Sequence, residues 1–300
     1  MSEINEANPE NNNLKAGTDG HERRVHPDAK VSAEADIGPG CSIGPRAEIG
    51  PDVKLGENCR IGPRVQLEGS IEIGKNNVVE TGTMIAADKA GENYSSAGCE
   101  EDEKDAAVVI GDNNIIREYS LLGIERQVSC FEKAGESVGE SRIIIGDNNF
   151  LMAYTVINPG VRLGSRIKIA NASCLKPGVK VGDDTFVAGM VVAAENVEIG
   201  EMAMLGGHSH LQGDLPPYLL ADGVPARVKT MNAVALRRND VERETFREIK
   251  QIFKSLFREE DGLENNFKQL CSQNWKSDKA LKLINFISDR DNLCRGCNEE

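Results

Sequence analysis

A parallel β-helix closed by a small helical domain is the fold predicted by this 300-residue sequence, on three observations. Small aliphatic residues recur at every sixth position. One run reads Val25, Val31, Ile37, Ile43, Ile49, Leu55, Ile61, Leu67, Ile73, Val79, Ile85; a second reads Ile145, Leu151, Ile157, Leu163, Ile169, Leu175, Val181, Val187, Ala193, Ile199, Leu205, Leu211. Gly and Pro follow many of them (IGPG, IGPR, IGPD), as tight corners require. From Met231 onward the spacing drops to three or four. A period of six fits neither a helix nor an open strand. It is one side of a triangular coil, with three hexads per turn.

Each element follows from its own stretch. Residues 1–24 are polar and Asn-rich, so they read as a disordered lead-in. Residues 25–215 form the solenoid, in which each coil needs only its neighbours. Two polar, aperiodic stretches, 86–109 and 123–143, are expected to leave it as loops near the middle, shaping a cleft. Ile110, Ile116 and Leu122 resume the rhythm between them, out of phase. Residues 216–231 form an exit segment. In the C-terminal helical domain, 232–300, the apolar positions Val241, Phe246, Ile249, Ile252, Phe253 and Leu256 mark an amphipathic helix, and NNFKQLCSQ (265–273) and DKALKLINFISDR (278–290) continue the helical pattern.

Composition narrows the partners. A net charge of −13 argues against a general nucleic-acid binder. No apolar run is long enough to span a bilayer, and no secretory signal is recognisable, so a reduced cytoplasm is the expected compartment. Five cations and no acid lie between Leu151 and Val181: Arg162, Arg166, Lys168, Lys176 and Lys180. They read either as solvated corners or as a docking face for an anionic partner. Cys41 and Cys59 fall at an inward small-residue position and act as small hydrophobes. Cys294 and Cys297 make one CxxC with no second pair, which is too little for zinc.

Longer stretches carry a resemblance. DLPPYLLADG (214–223) resembles the exit segment of the UDP-N-acetylglucosamine O-acyltransferase family of lipid A synthesis. GDNNIIREYS (111–120), with Arg117 and Glu118, is similar to that family's GDxNxIRE stretch. VHPDAKV (25–31) resembles its opening coil and FISDRDNLCR (286–295) its ending. The resemblance implies a left-handed β-helix and a cytoplasmic homotrimer. It also implies acyl transfer from acyl carrier protein to the 3-hydroxyl of a UDP-sugar, in clefts between subunits and without cofactor or metal.

The family's mechanism relies on a histidine as general base, because imidazole titrates near neutrality. Counting hexads along the unbroken run places Pro159 at that position and Gly160 at the neighbouring aspartate. Val156, Gly178 and Ala194 stand at the family's other cleft histidines. The chain has four histidines: His21, His26, His208 and His210. None lies at those positions, and three-histidine zinc chemistry of the γ-carbonic anhydrase kind is likewise excluded. His208 and His210, flanking an inward Ser209, are the candidate substitutes and should face outward. On the substrate side the resemblance implies Asn232 at the uracil, Arg238 at the nucleotide and Gly207 at the position that sets acyl length. Val234 and Asn239 replace two further nucleotide residues. Three expectations stay open: a binding homologue without acyl transfer, an active enzyme with a relocated base, and a purely structural trimer.

Overall fold

The computed structural model describes residues 23–86, 107–123, 142–257, 267, 270–288 and 293–294. They wind as a left-handed parallel β-helix of about nine coils, followed by a hairpin and helices. Each full coil gives one short strand to each of three parallel sheets. Ser42 pairs with Arg60 in the first sheet, Glu48 with Gln66 in the second and Lys54 with Glu72 in the third, one coil apart in each case. Two or three residues suffice per strand, because side chains alternate across it: the hexad aliphatic points inward and its predecessor outward. The aliphatics from Ile37 to Leu211 therefore form one continuous buried core.

Corners explain the rest of the repeat. Between the third and first sheets, Asn58, Asn76, Asn113 and Asn148 take left-handed backbone at φ 56° to 58°, which asparagine tolerates best after glycine. The next residue points inward: Cys59, then Asn77, Asn114 and Asn149, all buried. Each of these asparagines accepts a backbone N–H from the coil above, at 2.8 Å from Asn114, Asn149 and Ile167 in turn. The Asn–Asn pairs of the sequence are thus a turn residue followed by a rung of a hydrogen-bonded ladder. Cys41 and Cys59 are buried as expected, their thiols donating to the carbonyls of Gly56 and Gly74.

Both interruptions leave the prism at one edge, the corner between the second and third sheets, on the fourth and fifth coils. The register closes across each of them: Ile73 pairs with Ile110, and Ile110 with Ile145. The coil is therefore not shifted in phase; residues are inserted at a corner. Ala86, Val108, Val109 and Ile143 belong to strands, which narrows the inserted stretches to 87–107 and 123–142. Most of these two stretches (87–106 and 124–141) lies outside the described residues. Arg24, expected in the lead-in, already pairs with Ser42, and 1–22 are likewise not described.

The exit segment extends the first sheet. Leu219–Gly223 adds to the last strand in parallel and pairs with Ala226–Met231 in an antiparallel hairpin. Helices α1 (Ala233–Arg238), α2 (Arg243–Phe257) and α3 (Asp278–Ser288) follow. The apolar faces of α2 (Ile249, Ile252, Phe253, Leu256) and α3 (Ala280, Leu283, Ile284, Ile287) join the solenoid core. Cys294 is buried, its thiol donating to the Ala226 carbonyl at 3.2 Å, so it packs as a small hydrophobe. Cys297 lies outside the described residues, among which no cluster of metal-ligating side chains occurs.

Candidate functional site

The corner Asn158–Pro159–Gly160 follows the strand Val156–Ile157 on the sixth coil, one step above the edge that ejects the two insertions. Lys176–Pro177–Gly178 and Ala194–Glu195–Asn196 are the same corner on the next two coils, linked by Gly178 N–H to the Pro159 carbonyl (3.1 Å) and Asn196 N–H to the Pro177 carbonyl (2.9 Å). Gly160 and Gly178 have φ of 76° and 74°. A Cβ on Gly178 would sit 2.2 Å from Asn196 Oδ1, and Asn196 takes the same left-handed backbone on the next coil at φ 59°. Asn158 donates to the Leu175 carbonyl at 2.7 Å and lies 3.7 Å from the Cys174 sulfur. Burial pushes the Cys174 thiol up against the opposing pull of Asn158 and Lys176, which leaves it a poor nucleophile. Pro159 and Gly160 offer no side-chain proton acceptor.

Asn232 sits at the C-terminal end of the prism, over the third-to-first corner of the ninth coil. It is buried, and its side chain is used twice within the chain: Nδ2 donates to the Met202 carbonyl at 2.8 Å, and Oδ1 caps α1 by accepting from Ala235 N–H at 3.1 Å. Arg238 is exposed in the last turn of α1 and makes no ion pair among the described residues. Val234 is exposed, and Asn239 closes the same helix. Gly207 lies on a third edge, between the first and second sheets. A Cβ there would meet only the Gly189 carbonyl, at 3.5 Å, and one on Gly189 only that of Asn171, at 3.4 Å. The floor of this edge is open backbone beside Met190 and His208. The marked positions therefore occupy three different edges or ends, and one chain does not bring them together.

Ser209 points inward and both flanking histidines outward, as expected. His210 pairs with Val192, Val192 with Cys174, and Cys174 with Val156. The basic run of 151–181 is dispersed: Arg166 pairs with Asp183 and Asp184, Lys168 lies on the first sheet, Arg162 and Lys180 on the third, and Lys176 at a corner. It is not one docking face. A cationic stripe that the sequence reading passed over lies on α2. Arg243, Arg247, Lys250 and Lys254, at spacings of four, three and four, share the exposed face opposite the apolar one. None of the four has an ion pair among the described residues. The helical period that revealed the apolar face would have revealed this stripe. Arg117 and Glu118 form a forked pair at 2.8 and 2.9 Å, and the guanidinium holds the carboxyl below its usual range.

Triangular coils of hexapeptides with helices at the C-terminal end define a class, the left-handed β-helix transferases, and the comparisons agree. Residues 52–87 match the bacterial transferase hexapeptide family and residues 214–297 the second domain of UDP N-acetylglucosamine O-acyltransferase. An acyl-[acyl-carrier-protein]–UDP-N-acetylglucosamine O-acyltransferase of Halorhodospira halophila is 33% identical over 189 residues, covering 63% of this chain and 68% of the relative. One from Sulfurovum is 34% identical over 184 residues, covering 61% and 66%. The UDP-N-acetylglucosamine acyltransferase structure from Campylobacter jejuni superposes with a TM-score of 0.75 at 29% identity, covering 91% of this chain and 99% of that one. The chain belongs to the acyl-[acyl-carrier-protein]–UDP-N-acetylglucosamine O-acyltransferase family.

Proposed function

We propose that the chain binds a UDP-sugar in the manner of its family but has lost histidine-based acyl transfer. The observation that carries this is the Asn158–Pro159–Gly160 corner. By the hexad count, Pro159, which cannot accept a proton, takes the place of the base, and Gly160, a glycine in left-handed backbone, that of its partner. Loss of a general base costs roughly 10²- to 10⁴-fold in rate.

The binding half keeps its parts. Arg238, without an ion pair among the described residues, is a guanidinium suited to a diphosphate. Asn232 fixes α1, and so Arg238, to the last coil; its role at the uracil would share an amide already committed to the fold. Gly207 leaves an open floor for a long acyl chain. The α2 stripe suits the acidic surface of an acyl carrier protein, a better candidate than the dispersed cations of 151–181. The separation of the Pro159 edge from the Asn232 end supports a cleft shared between chains and hence a symmetric trimer. No helix among the described residues is long and apolar enough to cross a membrane, which is consistent with a cytoplasmic site of action.

A relocated base is the competing reading. His210 stands three coil steps from Val156, about 14 Å at the usual strand spacing, beyond direct proton transfer within one chain. The deciding experiment is calorimetry with UDP-N-acetylglucosamine beside a transfer assay with long-chain acyl carrier protein. Binding without product supports the proposal, turnover overturns it, and no binding of either substrate leaves a structural trimer.

A further inference from the structure

Glu201 sits at the third-to-first corner of the ninth coil, its side chain only 18% exposed. Three groups converge on its carboxylate. The Tyr218 hydroxyl donates to Oε1 at 2.5 Å, Lys282 Nζ donates to Oε2 at 2.5 Å, and Lys279 Nζ lies 3.7 Å from Oε1 and over the Tyr218 ring. Tyr218 is fully buried, and its N–H donates to the Glu201 carbonyl at 3.0 Å. One carboxylate therefore ties together the last coil, the exit segment and α3.

The two carbonyls that pin Asn232 belong to this node. The Tyr218 carbonyl accepts Asn232 N–H at 2.7 Å, and the carbonyl of Met202, next to Glu201, accepts Asn232 Nδ2 at 2.8 Å. Asn232 in turn caps α1, which carries Arg238. We propose that Glu201 is a positioning residue for the segment Asn232–Arg238, transmitting the seating of α3 to α1. The proposal rests on reading that segment as the nucleotide end of the site. Docking of α3 does not need the carboxylate, since Leu283, Ile284 and Ile287 already bury its apolar face. The polar node adds direction to that contact. It fixes where Tyr218 and Met202 present their carbonyls, and a buried carboxylate that loses a partner cannot hold that geometry.

The test uses the full chain as wild type, Glu201→Gln and Lys282→Met, with Glu57→Gln as control for a corner ion pair far down the prism (Lys75, 3.5 Å). Two quantities are read: UDP-N-acetylglucosamine affinity by calorimetry, and amide exchange at Ala235 and Leu236. Lys282→Met touches the node from the helix side, so it decides the matter if Glu201→Gln folds poorly. Both variants should weaken binding and speed exchange at 235–236 by about tenfold, the loss of one hydrogen bond to a charged group. Exchange in the coil strands and the Glu57→Gln control should stay at wild-type values. Unchanged exchange at 235–236 in both variants, or faster exchange spread evenly through the coils, would overturn the positioning role. A wild-type chain that binds no nucleotide overturns the underlying reading instead, while the exchange data still report whether Glu201 governs α1.

Discussion

His210 and Val156 stand on one outward column of the second sheet, three coils apart, with Cys174 and Val192 between them. Each step along a parallel stack is about 4.8 Å. The histidine therefore shares a face with the corner that lacks a base, yet sits too far along the prism to serve it.

Changing both His208 and His210 to Ala is accordingly expected to leave UDP-N-acetylglucosamine affinity within about twofold of wild type, since neither is part of the binding element. Calorimetry checks this. A loss of tenfold or more would return the histidines to the site.

Arg238→Met keeps much of the side chain's apolar length and removes the charge. Affinity for UDP should fall about tenfold, as for the loss of a charge-assisted bond to phosphate. The melting temperature should hold, because Arg238 makes no ion pair among the described residues. A variant that binds as wild type would remove Arg238 from the nucleotide end.

Asn232→Ala behaves differently because it serves the fold first. It deletes the α1 cap, worth about 1 kcal/mol, and leaves the buried Met202 carbonyl without its partner, about 1–3 kcal/mol more. Both stability and nucleotide affinity should drop, the first measured by denaturant unfolding. Asn239→Ala, at the exposed end of the same helix, should cost far less.

The fold was almost wholly legible in the sequence, because a solenoid repeats its physics: one inward aliphatic per side and one turn residue per corner, so spacing alone gives the coil. The insertion boundaries slipped by a residue or two because Ala86 and Val108 are strand residues without a hexad aliphatic's signature. The site was legible only as positions along a ruler. Its three-dimensional dispersal, with Pro159, Gly207 and Asn232 on different edges or ends, depends on which corner each hexad precedes. The Glu201–Tyr218–Lys282 node was not legible at all, since its members are up to 81 residues apart and carry no periodic signal.

That node has an acid signature. Burial alone would raise the Glu201 carboxyl, but hydrogen bonds from Lys282 and Tyr218 and the charge of Lys279 outweigh it and hold the group below the usual range. A folded-state value below the unfolded one, about 4.3, contributes stability that is full above the unfolded value and fades as pH falls through the folded one. The melting-temperature gap between wild type and Glu201→Gln should therefore hold from neutrality down to the unfolded value and shrink as pH falls below it. A gap independent of pH would contradict the assignment.

The most direct test of the central claim is product formation from UDP-N-acetylglucosamine and long-chain acyl carrier protein at nucleotide-sugar concentrations where calorimetry shows the chain to be saturated. The account predicts a saturated protein whose rate stays about 10²-fold or more below that of a relative with the base histidine in place. Turnover matching that relative would contradict it and show that a base reaches the sugar hydroxyl from somewhere other than Pro159.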